Sequence, residues 1–190
     1  MSTGGRLSRR QLLGASGAAG AAVAAAGCGL IPTTRPPPTK ISVTVDKTDI
    51  PILSGLLDLE YRLAYAYTAS LPQLTGDIYG IRVARWFLHH ELAHITALTT
   101  LLKSAHAKTR TSPGSYDLGN PHGAKETLRM LRGLEADAIR TYQGAIPKLS
   151  HGKLRAIAAS IMANEGQHIS LVRSALGIEP VPSALVTGNE

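Results

Sequence analysis

The sequence contains very little cysteine, few aromatic residues and no cluster of basic residues. Its 190 residues include a single cysteine, Cys28, so the chain can form neither an intrachain disulfide nor a cysteine-based zinc site. Aromatic residues make up only 4% of the chain, and the lysines and arginines that give the net charge of +7 are scattered. This is not the pattern of a nucleic-acid-binding protein. The length suits one domain with appendages.

The first 28 residues have the pattern of an export signal. Arg9 and Arg10 precede a weakly apolar stretch of alanine and glycine, and the segment resembles a bacterial twin-arginine signal. It has too few large apolar residues for a membrane-spanning helix, which needs ~20 predominantly apolar residues. Residues 25–28 (AAGC) resemble a lipoprotein processing site with Cys28 as the lipidated residue, and ordinary cleavage after residue 26 is the alternative. We therefore expect export and a lipid anchor on the outer face of the cytoplasmic membrane.

The remaining chain divides into a linker at 29–47, a helical domain at 48–177 and a tail at 178–190. The linker contains a proline-rich spacer (IPTTRPPPTK, 31–40), which favours an extended conformation. Apolar periodicity predicts helices at 48–71, 77–105, 124–146 and 150–176. Asp49 is the expected N-cap of the first helix and Gly177 the expected C-cap of the last. The long connection at 107–123 can cross the bundle, so the sequence predicts an all-α four-helix bundle with helices two and three parallel.

Each predicted helix carries a glutamate near its middle, within an apolar stripe, and two of these glutamates are followed by a histidine three residues later. The six residues are Glu60, Glu91, His94, Glu135, Glu165 and His168. Residues three apart lie on one face of a helix. A carboxylate in a core stripe is costly unless it is paired or bound to a cation. A glutamate from two helices with Glu-x-x-His from the other two is the ligand set of a carboxylate-bridged di-metal site.

The two halves of the helical domain repeat each other. Glu60 and Glu135 are 75 residues apart, as are Tyr67 and Tyr142, while the two Glu-x-x-His motifs align at an offset of 74. Chance motif matches do not preserve register in this way. The repeat predicts a bundle of two similar hairpins, with the metal site on a pseudo-two-fold axis.

On these motifs the chain resembles the exported bacterial ferritin-like domain proteins of the ferritin-like superfamily, over residues 49–176 and the tail sequence PVPSALVT at 180–187. The resemblance implies that the six residues bind two iron ions, with manganese as the alternative, and that these react with O2 or peroxide. It also implies that one glutamate of each hairpin bridges or chelates, without indicating which. Carboxylate and imidazole ligands without thiolate suit both metals. A homodimer is compatible with the resemblance.

Two other interpretations use the same residues. His90, Glu91 and His94 form the His-Glu-x-x-His motif of zinc proteases, but the second copy has Asn164 in place of the first histidine, and the chain lacks the strands of such enzymes. The other interpretation is a non-catalytic envelope stress or scaffold protein with a structural metal or none. His90, Tyr67 and Tyr142 are predicted at most to support the metal ligands.

Overall fold

The computed structural model describes residues 43–74 and 78–189, and within these residues the chain forms four long helices and no strand. The predicted all-α four-helix bundle is confirmed, and each helix begins and ends within two residues of its predicted limits. Short 3-10 turns follow the first and third helices. The helices are α1 Asp49–Ser70, α2 Ile78–Ser104, α3 Gly123–Ala145 and α4 Gly152–Ala175, and the turns are Leu71–Leu74 and Ile146–Lys148.

The predicted export signal, with Arg9, Arg10 and Cys28, lies outside the described residues, as does the proline-rich spacer. Among the helices that are described, none combines the length and the apolar character needed to cross a membrane.

Asp49 has a different role from the predicted N-cap. Thr48 precedes the helix and Asp49 is its first residue. The fully buried carboxylate of Asp49 accepts hydrogen bonds from the backbone N–H of Asp46 at 2.8 Å and from the N–H and hydroxyl of Ser150 at 2.9 and 2.6 Å. The prediction was wrong because a partner from the distant α3–α4 connection competes for this carboxylate. Asp49 thereby ties the start of α1 to the turn before α4.

The end of α4 uses the predicted glycine, one position further on. Leu176 is the C-cap residue, and Gly177 follows it with φ of +71°. The N–H of Gly177 bonds to the carbonyl of Ser174, and that of Ile178 bonds to the carbonyl of Arg173. This pairing closes the last turn and needs the left-handed conformation that glycine adopts without strain.

The helices pack as two hairpins, α1 with α2 and α3 with α4, and α1 also packs against α3. The long connection between the hairpins follows α1: Arg110 bonds to Asp58 at 3.2 Å, and the N–H of Gly123 bonds to Gln73 at 3.3 Å. The chain thus returns along the full bundle before α3 begins. As predicted, the connection crosses the bundle and leaves α2 and α3 parallel.

The apolar core is divided into two main clusters, one toward each end of the bundle. One contains Leu53, Leu98 and Leu154 and the other contains Leu63, Leu131 and Val172, each at most 3% exposed. Full burial of such a side chain stabilises the fold by about 1.5–3 kcal/mol. The glutamates of the four helices lie between these clusters, so the fold encloses a layer of charged side chains between two apolar layers.

The described part of the C-terminal tail, residues 178–189, forms no helix and lies along α3. The side chain of Gln143 donates to the carbonyl of Val186 at 2.8 Å, and Arg140 donates to the carbonyl of Gly188. Gly188 has φ of +80°, and a Cβ there would lie 2.5 Å from the carbonyl oxygen of Ala136. Only glycine fits at this contact.

Candidate metal centre

The centre of the bundle brings together all six residues of the predicted ligand set. Each of the four helices contributes its glutamate, and each of these side chains is fully buried. His168 is also fully buried, whereas His94 keeps 9% of its surface exposed. Charged residues are almost never this buried unless they are paired or bind a metal. The convergence of the six residues therefore requires a common electrostatic explanation.

The six residues form two overlapping groups of four, and in each group one candidate ligand atom per residue lies within 4.8 Å of the others. The groups are Glu60, Glu91, His94 and Glu165, and Glu91, Glu135, Glu165 and His168. Glu91 and Glu165, the glutamates of the two Glu-x-x-His motifs, belong to both. Each group also draws residues from both hairpins. Such overlap is compatible with two neighbouring cation positions that share two carboxylates.

Several atoms of the cluster have no hydrogen-bond partner although they are buried: Glu91 Oε1, Glu135 Oε2, both carboxylate oxygens of Glu165, and His168 Nδ1. The ring nitrogen of His168 nevertheless lies 2.9 Å from Glu165 Oε2 and 3.1 Å from Glu91 Oε1. The atoms therefore face a common centre without forming ordinary pairs. A buried polar atom without a partner costs about 1–3 kcal/mol. Divalent cations coordinated by oxygen and imidazole fit this donor set.

Both imidazoles of the centre are strong bases in the protein. Burial alone lowers the pKa of His94, but its contacts with Glu165, Glu60 and Glu91 outweigh burial and raise the pKa to about 12. The same opposition between burial and carboxylate contacts raises the pKa of His168 to about 12. Each ring therefore carries a positive charge at neutral pH when no metal is bound.

The carboxylates of the centre differ in the direction in which their pKa values are shifted. Burial raises the pKa of Glu60 to about 8, against the opposing hydrogen bond with His94. Burial and the charge of Glu165 raise the pKa of Glu135 as well. For Glu165, burial is outweighed by the close contacts with the rings of His168 and His94, which lower its pKa to about 2. Without metal, protons thus partly neutralise the cluster, and cations can take the place of those protons.

Two tyrosines link the hairpins through the centre. The hydroxyl of Tyr67 donates to Oε1 of Glu135, and the hydroxyl of Tyr142 donates to Oε1 of Glu60. Burial and the charge of the partner glutamate raise the pKa of each tyrosine well above its ordinary value, so both stay protonated donors. The sequence placed each tyrosine on the same stripe as the glutamate of its own helix. The structure instead pairs it with the glutamate of the other hairpin.

His90 contacts the centre through His168. Its Nδ1 lies 2.9 Å from Nε2 of His168, and the two rings are stacked with an interplanar angle of 12°. Because Nδ1 of His168 faces the carboxylates, its Nε2–H is free to donate to His90. His90 itself belongs to neither group of four. Of the two histidines in the zinc-protease motif, only His94 thus lies in the cluster.

Phe87 was not identified from the sequence as a residue of the centre. Its ring stacks on His168, with ring centroids 4.0 Å apart and an interplanar angle of 26°. The available signal was its position one helical turn before Glu91, which places it on the same face of α2. That position looks the same in sequence as any core phenylalanine.

A family model described as a ferritin-like domain matches residues 48–178. No curated protein matched the sequence. Similar solved structures include a conserved hypothetical protein from Mycobacterium tuberculosis, with a TM-score of 0.63 and 15% identity over 73% of this chain and 96% of that one. A ferritin-like, diiron-carboxylate protein from Bacillus anthracis gives a TM-score of 0.58 and 17% identity over 67% and 94%. A hypothetical protein from Methanococcus jannaschii gives 0.64 and 12% over 78% and 93%. At these identities the structures show a shared fold.

Proposed function

The chain belongs to the ferritin-like domain family, and from that premise we propose that its centre binds two divalent metal ions and uses them in redox reactions with O2 or peroxide. Iron is the proposed metal, with manganese as the alternative. The observation that supports this most directly is the pair of residue groups that share Glu91 and Glu165. Carboxylates and imidazoles without a thiolate suit both metals. The structural similarity to a diiron-carboxylate protein is consistent with this choice.

In this proposal the glutamates have two roles. Glu91 and Glu165, which belong to both groups, would hold both ions, while Glu60 and Glu135 would each hold one. Four ionised carboxylates balance the four positive charges of a divalent pair, and the ions when bound supply one-electron changes between their 2+ and 3+ states. The tyrosine hydroxyls hold Glu60 and Glu135 in place. The apolar layers above and below close the centre along the bundle axis.

An anaerobic titration of the metal-free, full-length protein with Fe(II), followed by an O2 pulse, tests the proposal. We expect saturation at two ions per chain and rapid appearance of the near-ultraviolet absorption of ferric iron. Two bound ions that react with neither O2 nor peroxide would point to manganese or to a structural metal. Absence of stoichiometric binding would contradict the metal centre itself.

The sharing of two glutamates gives a more specific test. Substitution Glu91→Ala removes a ligand from both positions, so we expect binding of both ions to weaken. Substitution Glu60→Ala affects only one group, so one ion should still bind. The exposed Glu126 on α3 provides the matched control Glu126→Ala, which should keep both ions. Equal losses in the Glu60 and Glu91 variants would contradict the assignment of Glu91 to both ions and of Glu60 to one.

A structural metal without catalysis is the second candidate. It is favoured by the enclosure of the centre, in which five of the six side chains are fully buried. The Glu60→Ala variant separates the two candidates. A catalytic centre loses turnover while the helical fold persists, whereas a structural centre loses the fold together with the metal.

We also propose that the protein is exported and anchored by a lipid at Cys28, on the support of the sequence pattern alone. Membrane fractionation of cells that express the full chain tests this. Substitution Cys28→Ser should release the protein from the membrane fraction, and replacing Arg9 and Arg10 by lysine should block export.

A further inference from the structure

The two halves of the centre have different surroundings. On the His168 side, the ring of His168 is fully buried and is covered by the stacked rings of Phe87 and His90. The seam between α2 and α4 continues beyond it with Phe87, Leu171 and Val172 around a cavity of only about 10 Å³. Among the described residues, this side offers little space for an approaching ion, and its nearest polar group, the ring of His90, is paired with His168.

On the His94 side the same pair of helices leaves an open groove. The groove has a volume of about 530 Å³, and His94 forms part of its wall. Ser160, Asn164 and Gln167 supply polar side chains along the groove, and Ala97 supplies a small one. His94 is the one candidate ligand of the six that keeps measurable exposure, at 9%.

The internal repeat shows which side chains cause the difference. At the offset of 74, Ala97 corresponds to Leu171 and Asn164 corresponds to His90. The larger member of each pair closes the His168 side. The smaller members line the open groove. Phe87, which covers His168, likewise corresponds to the smaller Ile161 of the groove. The backbone plan is shared by the two halves, so the asymmetry comes from side-chain differences such as these.

We propose that the groove lined by His94, Asn164 and Gln167 is the entrance through which metal ions reach the centre, so that the ion beside His94 binds and exchanges first. The inference rests on the proposed metal-binding function. A hydrated divalent cation is costly to move through an apolar seam. The amide and hydroxyl oxygens in the groove can replace its water ligands one at a time as it enters. The His168 position is then filled from within, past Glu91 and Glu165, which both positions share.

Introducing a residue of the closed side at the corresponding position of the open groove tests this proposal. The Ala97→Leu variant gives the groove the residue that stands at position 171. With Co(II) as the probe, stopped-flow absorbance measures the rate of binding, and an equilibrium titration measures the stoichiometry. We expect Ala97→Leu to bind two ions at a rate reduced roughly tenfold or more, a barrier increase of about 1.4 kcal/mol. The exposed Ala156 on α4, outside the groove, gives the matched control Ala156→Leu, which should bind at the wild-type rate.

Different outcomes contradict the proposed entrance and the proposed metal centre. Two ions bound by Ala97→Leu at the wild-type rate would overturn the entrance and leave the proposed function standing. Failure of the wild-type protein to bind Co(II) stoichiometrically would overturn the proposed function, and the entrance with it. If Ala97→Leu fails to fold, the second variant is Asn164→Leu, which removes the amide from the groove. It should also bind two Co(II) ions more slowly than wild type, and binding at the wild-type rate would overturn the entrance.

Discussion

Replacing Glu60 by glutamine should stabilise the metal-free protein and reduce its stability relative to wild type when metal is bound. Glutamine has almost the same shape and keeps the oxygen that accepts the hydrogen bond of Tyr142. It carries no ionisable group. Glu60, by contrast, is a fully buried carboxyl whose pKa burial raises from its ordinary value of 4.5 to about 8.

The expected magnitude follows from the protons bound by each state. Below pH 4.5, Glu60 is protonated in both the folded and the unfolded protein, so it has no effect on stability. Between pH 4.5 and pH 8 the folded protein keeps this proton while the unfolded chain loses it, so the free energy of unfolding falls by about 1.4 kcal/mol per pH unit. At pH 7 the wild-type protein has lost about 3 kcal/mol in this way, and the metal-free Glu60→Gln variant avoids that loss.

Bound metal should reverse the order of stability of the wild-type protein and the Glu60→Gln variant. At a free metal concentration of a thousand times the dissociation constant, each bound ion stabilises the folded state by about 4 kcal/mol. A variant that binds one ion instead of two forgoes more than the ~3 kcal/mol that it gained without metal. Loaded wild-type protein should therefore be the more stable of the two.

Urea unfolding followed by circular dichroism measures the difference in stability between wild type and Glu60→Gln. It is done at pH 4.5 and at pH 7, in each case with chelator and with Mn(II). Glu126→Gln is the control, at an exposed position in the first turn of α3, where glutamine keeps an oxygen for the N–H of His122. It should change stability by less than about 1 kcal/mol, and equally with and without metal. If metal-free Glu60→Gln proved less stable than wild type at pH 7, the buried carboxyl would not be a cost to the fold. The electrostatic account of the centre would then be refuted.

Three further predictions concern other parts of the structure. Asp49→Asn should lower the free energy of unfolding by about 2 kcal/mol at pH 7. Burial raises the pKa of Asp49, but the hydrogen bonds from Ser150 outweigh burial and lower the pKa below its ordinary 3.8. This stabilisation is present above the ordinary pKa and is lost as the pH falls through the pKa of the folded protein. Urea unfolding should therefore show a larger effect of the substitution at pH 7 than at pH 3. An equal effect at both pH values would contradict a stabilising role of the ionised carboxylate. Tyr142→Phe leaves an oxygen of Glu60 without its donor and should weaken the affinity for one of the two ions by roughly 10–100-fold; calorimetric titration measures this, and two unchanged affinities would contradict it. Metal binding should release protons, because both imidazoles of the centre hold theirs with pKa values of about 12 when metal is absent; affinity should therefore fall as the pH is lowered, and binding enthalpies that do not depend on the ionisation enthalpy of the buffer would rule this out.

The backbone plan was predictable from the sequence because its signals are local and repeated. Apolar periodicity fixes four helices, and the register of the repeat fixes which positions face the centre. A glutamate such as Glu135 in an apolar stripe is conspicuous in sequence because burial makes an isolated charge expensive. These features depend on spacing along one helix, which the sequence displays directly.

Contacts between elements far apart in sequence could not be predicted in the same way. Asp49 has the composition of an N-cap, and only the fold brings Ser150 within 2.6 Å of its carboxylate. Tyr67 lies on the same stripe as Glu60, yet the crossed arrangement of the hairpins gives it Glu135 as its partner. The difference between His90 and Asn164 is visible in sequence, but its consequence for access depends on which helix each one faces.

Each candidate metal position takes residues from both hairpins, so neither hairpin contains a complete site. A chain of one hairpin would hold two glutamates and one histidine, and two identical copies around a two-fold axis would complete the centre. The present chain is what tandem duplication and fusion of such a homodimer would produce. In a homodimer every change appears on both sides of the axis. Fusion removes that restriction, and it is the condition under which Asn164 and His90 can diverge and leave one side of the centre open.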